Sequence, residues 1–269
     1  MTDIPSPAPL MQGKRGLVMG VANDHSIAWG IARTLAAQGA QMAFTYQGEA
    51  FGKRVTPLAE SVGSSLVLPA DVQDAASLDA VFETLAAEWG SLDFLVHAIA
   101  YSEKSELKGR YVETSRANFL KTMDVSCFSL TDLARRAQPL MTNGGSIVTL
   151  SYLGAERVLP NYNVMGVAKA ALEASVRYLA EDLGTDNIRV NALSPGPMRT
   201  LAGSAVGSAR KVYGFNVRNA PLRRTATLDE VGGAALYLLS DMGGATTGET
   251  LYVDCGYHVM GMVAEENLV

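Results

Sequence analysis

Residues 16–46 have the sequence GLVMGVANDHSIAWGIARTLAAQGAQMAFTY. The short apolar run at 16–19 predicts a β-strand, and residues 41–46 predict a second one. Between them, apolar residues recur at helical spacing over 27–38, and the glycine at position 39 is a typical helix stop. A strand, a helix and a strand in succession indicate two parallel strands joined by a right-handed crossover.

The same alternation of short apolar runs and helical patterns continues to residue 253. Further strands are predicted at 65–68, 92–97, 146–150, 189–193 and 250–253. Further helices are predicted at 49–62, 75–88, 115–141, 162–183 and 228–239. We therefore predict the α/β class: one doubly wound, Rossmann-like domain with a seven-stranded parallel sheet flanked by helices on both faces. The domain is expected to span 13–257, between a flexible N-terminal leader at 1–12 and a C-terminal tail at 258–269.

Composition excludes several classes of protein. The chain has 269 residues, of which 48% are apolar and 18% charged, and such a chain can bury a sizeable core. The net charge of −5 argues against a nucleic-acid partner. Cys127 and Cys255 are too few for a disulfide framework and lack the spacing of metal ligands, so no metal is expected. Without a signal peptide or a membrane-spanning run, we expect a cytoplasmic protein with no stable membrane association.

The turn after the first strand suits a phosphate. In doubly wound sheets, ligands bind beyond the carboxyl ends of the strands. Gly20 permits a tight turn, and the helix that starts near Ser26 and Ile27 offers free N–H groups to a pyrophosphate. Ser26 is also a good N-cap. Residues 20–30 do not follow the pattern Gly-x-Gly-x-x-Gly. An ordinary strand–turn–helix without a phosphate site is therefore an equally good interpretation.

Residues after the second and third strands suggest the type of dinucleotide. Gln47 can hydrogen-bond a ribose hydroxyl but cannot neutralise a 2′-phosphate, which favours NADH over NADPH, although Lys53 and Arg54 are near in sequence. Asp71 and Val72 end the third strand and can hold the adenine edge. The alternative for Asp71 is a plain N-cap of the next helix.

Tyr162 and Lys169 form a candidate catalytic pair. Residues seven apart return to nearly the same face of a helix, two turns on. A lysine side chain leans toward the helix N-terminus, and hence toward Tyr162. The nearby cation is expected to lower the pKa of Tyr162 and make it a better donor to developing enolate charge. The alternative is a buried tyrosine and an unrelated surface lysine.

Three motifs together resemble one known family. They are Gly-x5-Ser-Ile-Ala-x-Gly at 20–30, Ser-Tyr-Leu-Gly-Ala-Glu-Arg at 151–157, and Tyr-x6-Lys at 162–169. This pattern is similar to that of the bacterial enoyl-acyl-carrier-protein reductases, a divergent branch of the short-chain dehydrogenase/reductases, and extends from residue 13 to about 254. The resemblance implies NADH-dependent reduction of the trans-2 double bond of enoyl thioesters on acyl carrier protein, in type II fatty acid synthesis, by a homotetramer.

The resemblance also implies roles for individual residues. Tyr162 corresponds to the catalytic tyrosine on the thioester carbonyl, Lys169 to the lysine on the nicotinamide ribose, and Tyr152 to a second active-site tyrosine. Positions that match cofactor contacts are Gly20, Ser26, Ile27, Gln47, Asp71, Val72, Ile99, Lys169, Met198, Thr200 and Ala202. Positions expected on the substrate side are Tyr101, Ser102, Tyr162 and Met165.

The superfamily's usual Tyr-x3-Lys is absent because Met165 stands where that tyrosine would be. In conjugate reduction the charge gathers on an oxygen further from the hydride acceptor, and a tyrosine at 162 rather than 165 would reach it. A short-chain reductase acting on a ketone is therefore disfavoured. A catalytically silent dinucleotide-binding protein is the remaining alternative.

Residues 187–228 contain no acidic residue. Their basic residues are Arg189, Arg199, Arg210, Lys211, Arg218, Arg223 and Arg224. An acidic acyl carrier protein would be attracted to such a region, and Arg210 and Lys211 are the candidate docking residues. A solvated face with scattered ion pairs is the alternative. Small residues and glycines over 200–208 predict a mobile substrate lid near 200–220.

Overall fold

The computed structural model describes residues 9–201, 203 and 209–268. Seven strands form one parallel sheet in the order β3-β2-β1-β4-β5-β6-β7, which confirms the predicted fold class. The strands are β1 Arg15–Met19, β2 Gln41–Tyr46, β3 Val67–Pro69, β4 Phe94–His97, β5 Gly145–Leu150, β6 Ile188–Pro195 and β7 Thr250–Val253.

Helices connect the strands and cover both faces of the sheet. They are α1 Ile27–Ala37, α2 Glu49–Ser61, α3 Ala75–Trp89, α4 Arg116–Met123, α5 Ser129–Ala137, α6 Asn163–Gly184, α7 Ala209–Asn219 and α8 Leu228–Leu239. Short 3-10 turns lie at Tyr111–Glu113, Gln138–Leu140, Leu153–Ala155, Asp241–Gly243, Tyr257–Val259 and Glu265–Asn267.

The prediction of one helix over 115–141 is wrong. A π-helical turn, Asp124–Phe128, separates α4 from α5. Within this turn the Ser126 hydroxyl accepts from the Tyr101 N–H at 2.9 Å and donates to the Tyr101 carbonyl oxygen at 3.0 Å. A π-helical turn is a local widening of a helix, and here it contains the side chain, Ser126, that hydrogen-bonds the backbone of another segment. The loop after β4 is thereby attached to the helix.

Two apolar cores account for the apolar character of the strands. Leu17 and Met19 of β1 join the core under α3, α5 and α6, whereas Val18 joins the core under α1 and α8. Successive side chains of a strand point to opposite faces, so a strand that is covered on both sides has no polar face. This explains why apolar runs, rather than strict alternation, mark the strands in the sequence.

The packed domain extends further at both ends than the sequence predicted. Met11 is fully buried and its N–H donates to the Gln38 carbonyl oxygen at 2.9 Å, although it lies in the predicted leader. Residues 1–8 lie outside the described part of the chain. In the predicted tail, the Ala264 N–H donates to Asn219 Oδ1 of α7 at 2.8 Å. No helix within 9–201, 203 and 209–268 is long and apolar enough to cross a membrane.

Candidate active site

The strand order places a topological switch point between β1 and β4. These two strands are neighbours in the sheet, but the chain proceeds from β1 toward one sheet edge and from β4 toward the other. Ligands of doubly wound folds bind at such a switch point, beyond the carboxyl ends of the strands. Gly20, at the end of β1, has φ of +105°, and a Cβ there would lie 2.1 Å from the Ala98 carbonyl oxygen. Only glycine allows the two strand ends to approach so closely.

The start of α1 is left without a side-chain cap. Ser26 occupies the N-cap position, but its hydroxyl accepts from the backbone N–H groups of Ala22 at 3.0 Å and Asn23 at 3.1 Å. The predicted capping role of Ser26 is therefore wrong, because its hydroxyl shapes the preceding turn instead. The first turn of α1, which begins at Ile27, also contains no acidic side chain. Uncapped N–H groups at a helix start suit an anion.

A hydrogen bond joins the ends of β2 and β3. Gln47 Nε2 donates to Asp71 Oδ2 at 2.9 Å, and Asp71 Oδ1 accepts from the Gln73 N–H at 2.9 Å. Asp71 is not the N-cap of α3, because Asp74 accepts from the Ala76 N–H at the start of that helix. An amide and a carboxylate can hold ribose hydroxyls, and the carboxylate repels an additional phosphate.

Apolar contacts and a further cluster of hydrogen bonds surround this edge of the sheet. Val72 and Ile99 are partly buried against the core under α3. His97, at the end of β4, contacts Thr149 Oγ1 at 2.7 Å and Ser129 Oγ at 2.8 Å. Burial, together with the nearby Lys169 ammonium, lowers the pKa of His97 to about 3. His97 is therefore neutral and structural.

Lys169 is buried behind the end of β5. Only 5% of the residue is exposed, and its Nζ donates to the Leu150 carbonyl oxygen at 2.6 Å. Burial lowers the pKa of Lys169 to about 8. One turn further along α6, Glu173 accepts a hydrogen bond from the Ser151 hydroxyl. Two successive turns of α6 thus hold two successive residues at the end of β5.

Tyr162 lies immediately before α6 and is 8% exposed. Its ring meets the Tyr152 ring edge to face, with 5.2 Å between centroids. Burial raises the pKa of Tyr162 far above its usual range, and the Tyr152 and Glu173 side chains raise it further. The expectation that Lys169 lowers the pKa of Tyr162 is therefore wrong for this structure, since burial dominates. Burial also raises the pKa of Tyr152 to about 12.

A cavity of about 800 Å³ opens beside the two tyrosines, and we call it the main cavity. The Tyr152–Tyr162 pair, the end of β6 and α7 form its walls. Its apolar wall residues include Leu153, Leu159, Pro197 and Phe215. The sequence did not predict α7, because Gly214 and a sparse apolar pattern interrupt the helical signal. The spacing of Val212 and Phe215 was the available clue.

Three residues that we expected on the substrate side do not line the main cavity as the structure describes it. Met165 packs in a small core with Leu107, Tyr162 and Val164. Ser102 is held by hydrogen bonds to two side chains of α4, Asn118 and Thr122. The Tyr101 hydroxyl donates to Glu103 Oε1 at 3.0 Å, and the Lys121 ammonium lies 4.4 Å from the centre of its ring.

The segment after β6 leads from the main cavity into α7. The Thr200 N–H donates to the Met198 carbonyl oxygen at 3.0 Å, and Thr200 Oγ1 accepts from the Gly203 N–H at 2.9 Å. The Arg199 guanidinium lies 4.7 Å from the centre of the Tyr213 ring. Ala202 and residues 204–208 of the expected lid lie outside the described residues.

Apart from Arg199, which lies over the Tyr213 ring, the basic residues of 187–228 divide into two groups. Arg189 donates to the Leu238 carbonyl oxygen at 2.6 Å, Arg223 pairs with Glu266, and Arg224 pairs with Glu230. The other group consists of exposed side chains that line the main cavity and form no ion pair with any described residue: Arg210, Lys211 and Arg218. The described residues contain no cluster of three potential metal ligands.

The sequence as a whole matches one family. The sequence model of the family described as enoyl-(acyl carrier protein) reductase matches residues 20–258. A protein of Rhizobium meliloti strain 1021 named enoyl-(acyl-carrier-protein) reductase (NADH) 2 is 61% identical over 259 residues, covering 96% of this chain and 97% of that protein.

Solved structures show the same similarity. The crystal structure of the enoyl-(acyl-carrier-protein) reductase of Anaplasma phagocytophilum in complex with NAD superposes with a TM-score of 0.93 at 63% identity, over 96% of this chain and 98% of that one. The Bacillus cereus enoyl-acyl carrier protein reductase, solved with NADP+ and an indole naphthyridinone, superposes with a TM-score of 0.92 at 52% identity, over 94% and 99% of the two chains.

Proposed function

The chain belongs to the enoyl-(acyl carrier protein) reductase family, and on that basis we propose that it reduces the trans-2 double bond of enoyl thioesters carried on acyl carrier protein. The reductant is NADH, and the reaction is the last reductive step of fatty-acid elongation in type II fatty acid synthesis. The observation that carries this proposal is the buried Tyr162, which lines the main cavity and immediately precedes α6, with Lys169 two turns along that helix.

The residues at the sheet edge fit NADH. The uncapped start of α1 suits the pyrophosphate, and the Gln47–Asp71 pair suits the adenosine ribose. The Lys169 ammonium donates one of its N–H groups to the Leu150 carbonyl oxygen. Its remaining N–H groups can donate to the nicotinamide ribose. When bound, NADH supplies the hydride for the β-carbon of the substrate.

Tyr162 stabilises the charge that develops on the thioester oxygen. Because its pKa is raised, its hydroxyl keeps the proton at neutral pH and acts as a hydrogen-bond donor rather than a base. Contact with the Tyr152 ring limits the rotation of the Tyr162 ring. The α-carbon takes its proton from water, so that one hydride and one proton saturate the double bond.

The ketone-reductase alternative lacks a donor at the usual place. Position 165, one turn closer to Lys169, is occupied by a methionine that is buried in a small apolar core. A methionine has no hydroxyl group to donate to a ketone oxygen. This supports conjugate reduction over direct carbonyl reduction.

The test of the proposal is NADH oxidation with a crotonyl thioester beside the matching 3-keto thioester. We expect turnover of the crotonyl substrate alone, and a loss of about 10²-fold in kcat/KM for Tyr162→Phe. Tyr111→Phe is the matched control, because Tyr111 is 48% exposed and does not line the main cavity. Turnover of the 3-keto substrate alone would identify a ketone reductase, and NADH binding without any turnover would identify a silent binding protein.

Arg210 and Lys211 are the proposed docking site for the acyl carrier protein. Both are exposed, line the main cavity, and form no ion pair with a described residue, so they can attract an acidic partner. The test is Arg210→Glu with Lys211→Glu. We expect KM for the carrier-bound substrate to rise about tenfold while KM for an uncharged thioester changes far less.

We also propose a homotetramer in the cytoplasm. Large apolar side chains are exposed on the helical surface at Leu120, Phe128 and Tyr178, as expected for faces that pack against other subunits. Cys127 and Cys255 are both free, which agrees with a reducing compartment. Sedimentation equilibrium of the purified chain tests the tetramer, and cell fractionation tests the location.

A further inference from the structure

Two residues that line the main cavity each have a buried side-chain oxygen with no hydrogen-bond partner among the described residues. These oxygens are Ser194 Oγ, in a residue that is 1% exposed, and Asn216 Oδ1, in a residue that is 4% exposed. Both residues line the cavity that also contains the Tyr162 ring. Buried polar atoms are almost always paired, so two unpaired atoms in one cavity require an explanation.

Neither oxygen forms a hydrogen bond with any described residue of the fold. Asn219, on the same helix as Asn216, uses both ends of its amide: Nδ2 donates to the Phe215 carbonyl oxygen at 2.8 Å, and Oδ1 accepts from the Ala264 N–H at 2.8 Å. Ser146 of β5 likewise donates to the Leu238 carbonyl oxygen at 2.9 Å. These two residues show what a structural asparagine and a structural serine do in this protein. Ser194 Oγ and Asn216 Oδ1 have no such role.

The chemistry of the two oxygens defines the group that they can bind. Asn216 Oδ1 can only accept, so its partner must carry an N–H or O–H group. The Ser194 hydroxyl can donate to a carbonyl oxygen. A secondary amide offers both an N–H and a carbonyl oxygen. A hydrocarbon chain beside these oxygens would exclude water and leave both without a hydrogen-bond partner, which is unfavourable.

In the proposed substrate, secondary amides occur in the pantetheine arm, which joins the acyl thioester to the phosphate of the carrier. The same cavity is lined by Tyr162 and by the exposed Arg210 and Lys211. The cavity lining therefore offers a tyrosine for the thioester, unpaired oxygens for the amides and a basic pair for the phosphate. The acyl chain contains none of these groups.

We infer that Ser194 and Asn216 form a hydrogen-bonding subsite for the amides of the substrate's pantetheine arm. This inference rests on the proposed function, because the pantetheine thioester is the substrate proposed there. It assigns the part of the main cavity beside α7 to the carrier arm and not to the acyl chain. It also makes Asn216 a determinant of specificity for the thiol part of the substrate.

The test compares two crotonyl thioesters of similar size. One is the N-acetylcysteamine thioester, which has a secondary amide, and the other is an S-pentyl thioester, which has none. For the wild-type protein we expect a higher kcat/KM with the amide. Asn216→Leu keeps the volume and removes the acceptor, so the ratio of the two kcat/KM values should fall about tenfold.

Val212→Ala is the matched control, because Val212 also lines the cavity but has no polar side-chain atom. We expect this variant to change both kcat/KM values by the same factor. Ser194→Ala removes the other oxygen without adding atoms, and should lower the ratio in the same direction. If Asn216→Leu does not fold, the ratio of the two kcat/KM values is compared between Ser194→Ala and the wild type. Thermal unfolding without substrate should give Asn216→Leu a Tm no lower than that of the wild type, because an unpaired buried oxygen is removed.

The outcomes separate the two proposals. If the wild-type protein reduces neither thioester, the proposed function fails. If it reduces both and the ratio is the same in Asn216→Leu, Ser194→Ala and the wild type, the amide subsite is wrong and the acyl chain occupies this part of the cavity. A lower ratio in the two polar variants, with an unchanged ratio in Val212→Ala, supports the subsite.

Discussion

The Lys169 ammonium donates a hydrogen bond of 2.6 Å to the carbonyl oxygen of Leu150, the last residue of β5. The sheet fixes the position of that carbonyl, because Leu150 is in register with Leu193 of β6. The buried lysine is therefore oriented by the central sheet itself before any ligand binds. Glu173 accepts from Ser151 one turn later and holds the start of the loop that presents Tyr152.

The first prediction concerns NADH binding. Lys169→Met keeps the aliphatic stem and removes the charged donor, so the dissociation constant for NADH should rise between about tenfold and 10²-fold. Lys108→Met, at an exposed position, is the control and should bind NADH like the wild type. Fluorescence titration measures both constants. Equal affinity in the two variants would contradict a contact between Lys169 and the cofactor.

The second prediction concerns stability and pH. Burial lowers the pKa of Lys169 to about 8, whereas an unfolded lysine keeps the ordinary value of 10.5. Between these two values the unfolded chain binds more protons than the folded chain, so the free energy of unfolding rises with pH. Below the folded pKa both states are protonated, and the full cost of burying the charge is present.

Lys169→Met lacks this titration. Without cofactor, the stability of the wild type relative to Lys169→Met should therefore increase by about 2 kcal/mol from about pH 7 to about pH 10. Urea unfolding of both proteins at the two pH values measures the difference. A difference that stays constant with pH would show that Lys169 is not held in a buried, desolvated place.

The third prediction concerns the position of the tyrosine. Moving the hydroxyl with Tyr162→Phe and Met165→Tyr shifts its attachment point by about 4.5 Å along α6. We expect the double variant to reduce enoyl thioesters no better than Tyr162→Phe alone. Met165→Tyr alone is the control for crowding in the small core around Met165. Wild-type rates in the double variant would refute the geometric explanation of the Tyr-x6-Lys spacing.

The fourth prediction concerns the choice of coenzyme. Gln47 donates to Asp71 at 2.9 Å and adds no charge that could bind a 2′-phosphate. Gln47→Arg supplies a guanidinium, so the ratio of kcat/KM for NADPH to that for NADH should rise about tenfold or more. Gln41→Arg, at the opposite end of β2, adds the same charge away from the site. Steady-state kinetics with both coenzymes measures this ratio of kcat/KM values. A similar ratio in Gln47→Arg and Gln41→Arg would contradict the assignment of Gln47 to the adenosine ribose.

Much of the fold was predictable because its signals are local. The apolar runs of the strands and the helix over Leu228–Leu239 follow from periods of a few residues. The errors arose where one segment depends on another. The π-helical turn at Asp124–Phe128 contains Ser126, which bonds the loop at Tyr101 and is far from it in sequence. The helix Ala209–Asn219 has too few apolar residues to be recognised without the cavity that it covers.

The sequence by itself determined the parallel sheet, the glycine at position 20 and the placement of Tyr162 at the start of α6 with Lys169 two turns along it. These depend on chain geometry over short distances. Only the tertiary structure decided that Ser26 shapes a turn instead of capping α1, and that burial raises the pKa of Tyr162. It alone brought Ser194 and Asn216 into one cavity. Burial and pairing depend on what the rest of the chain places around a side chain, and no local pattern encodes that.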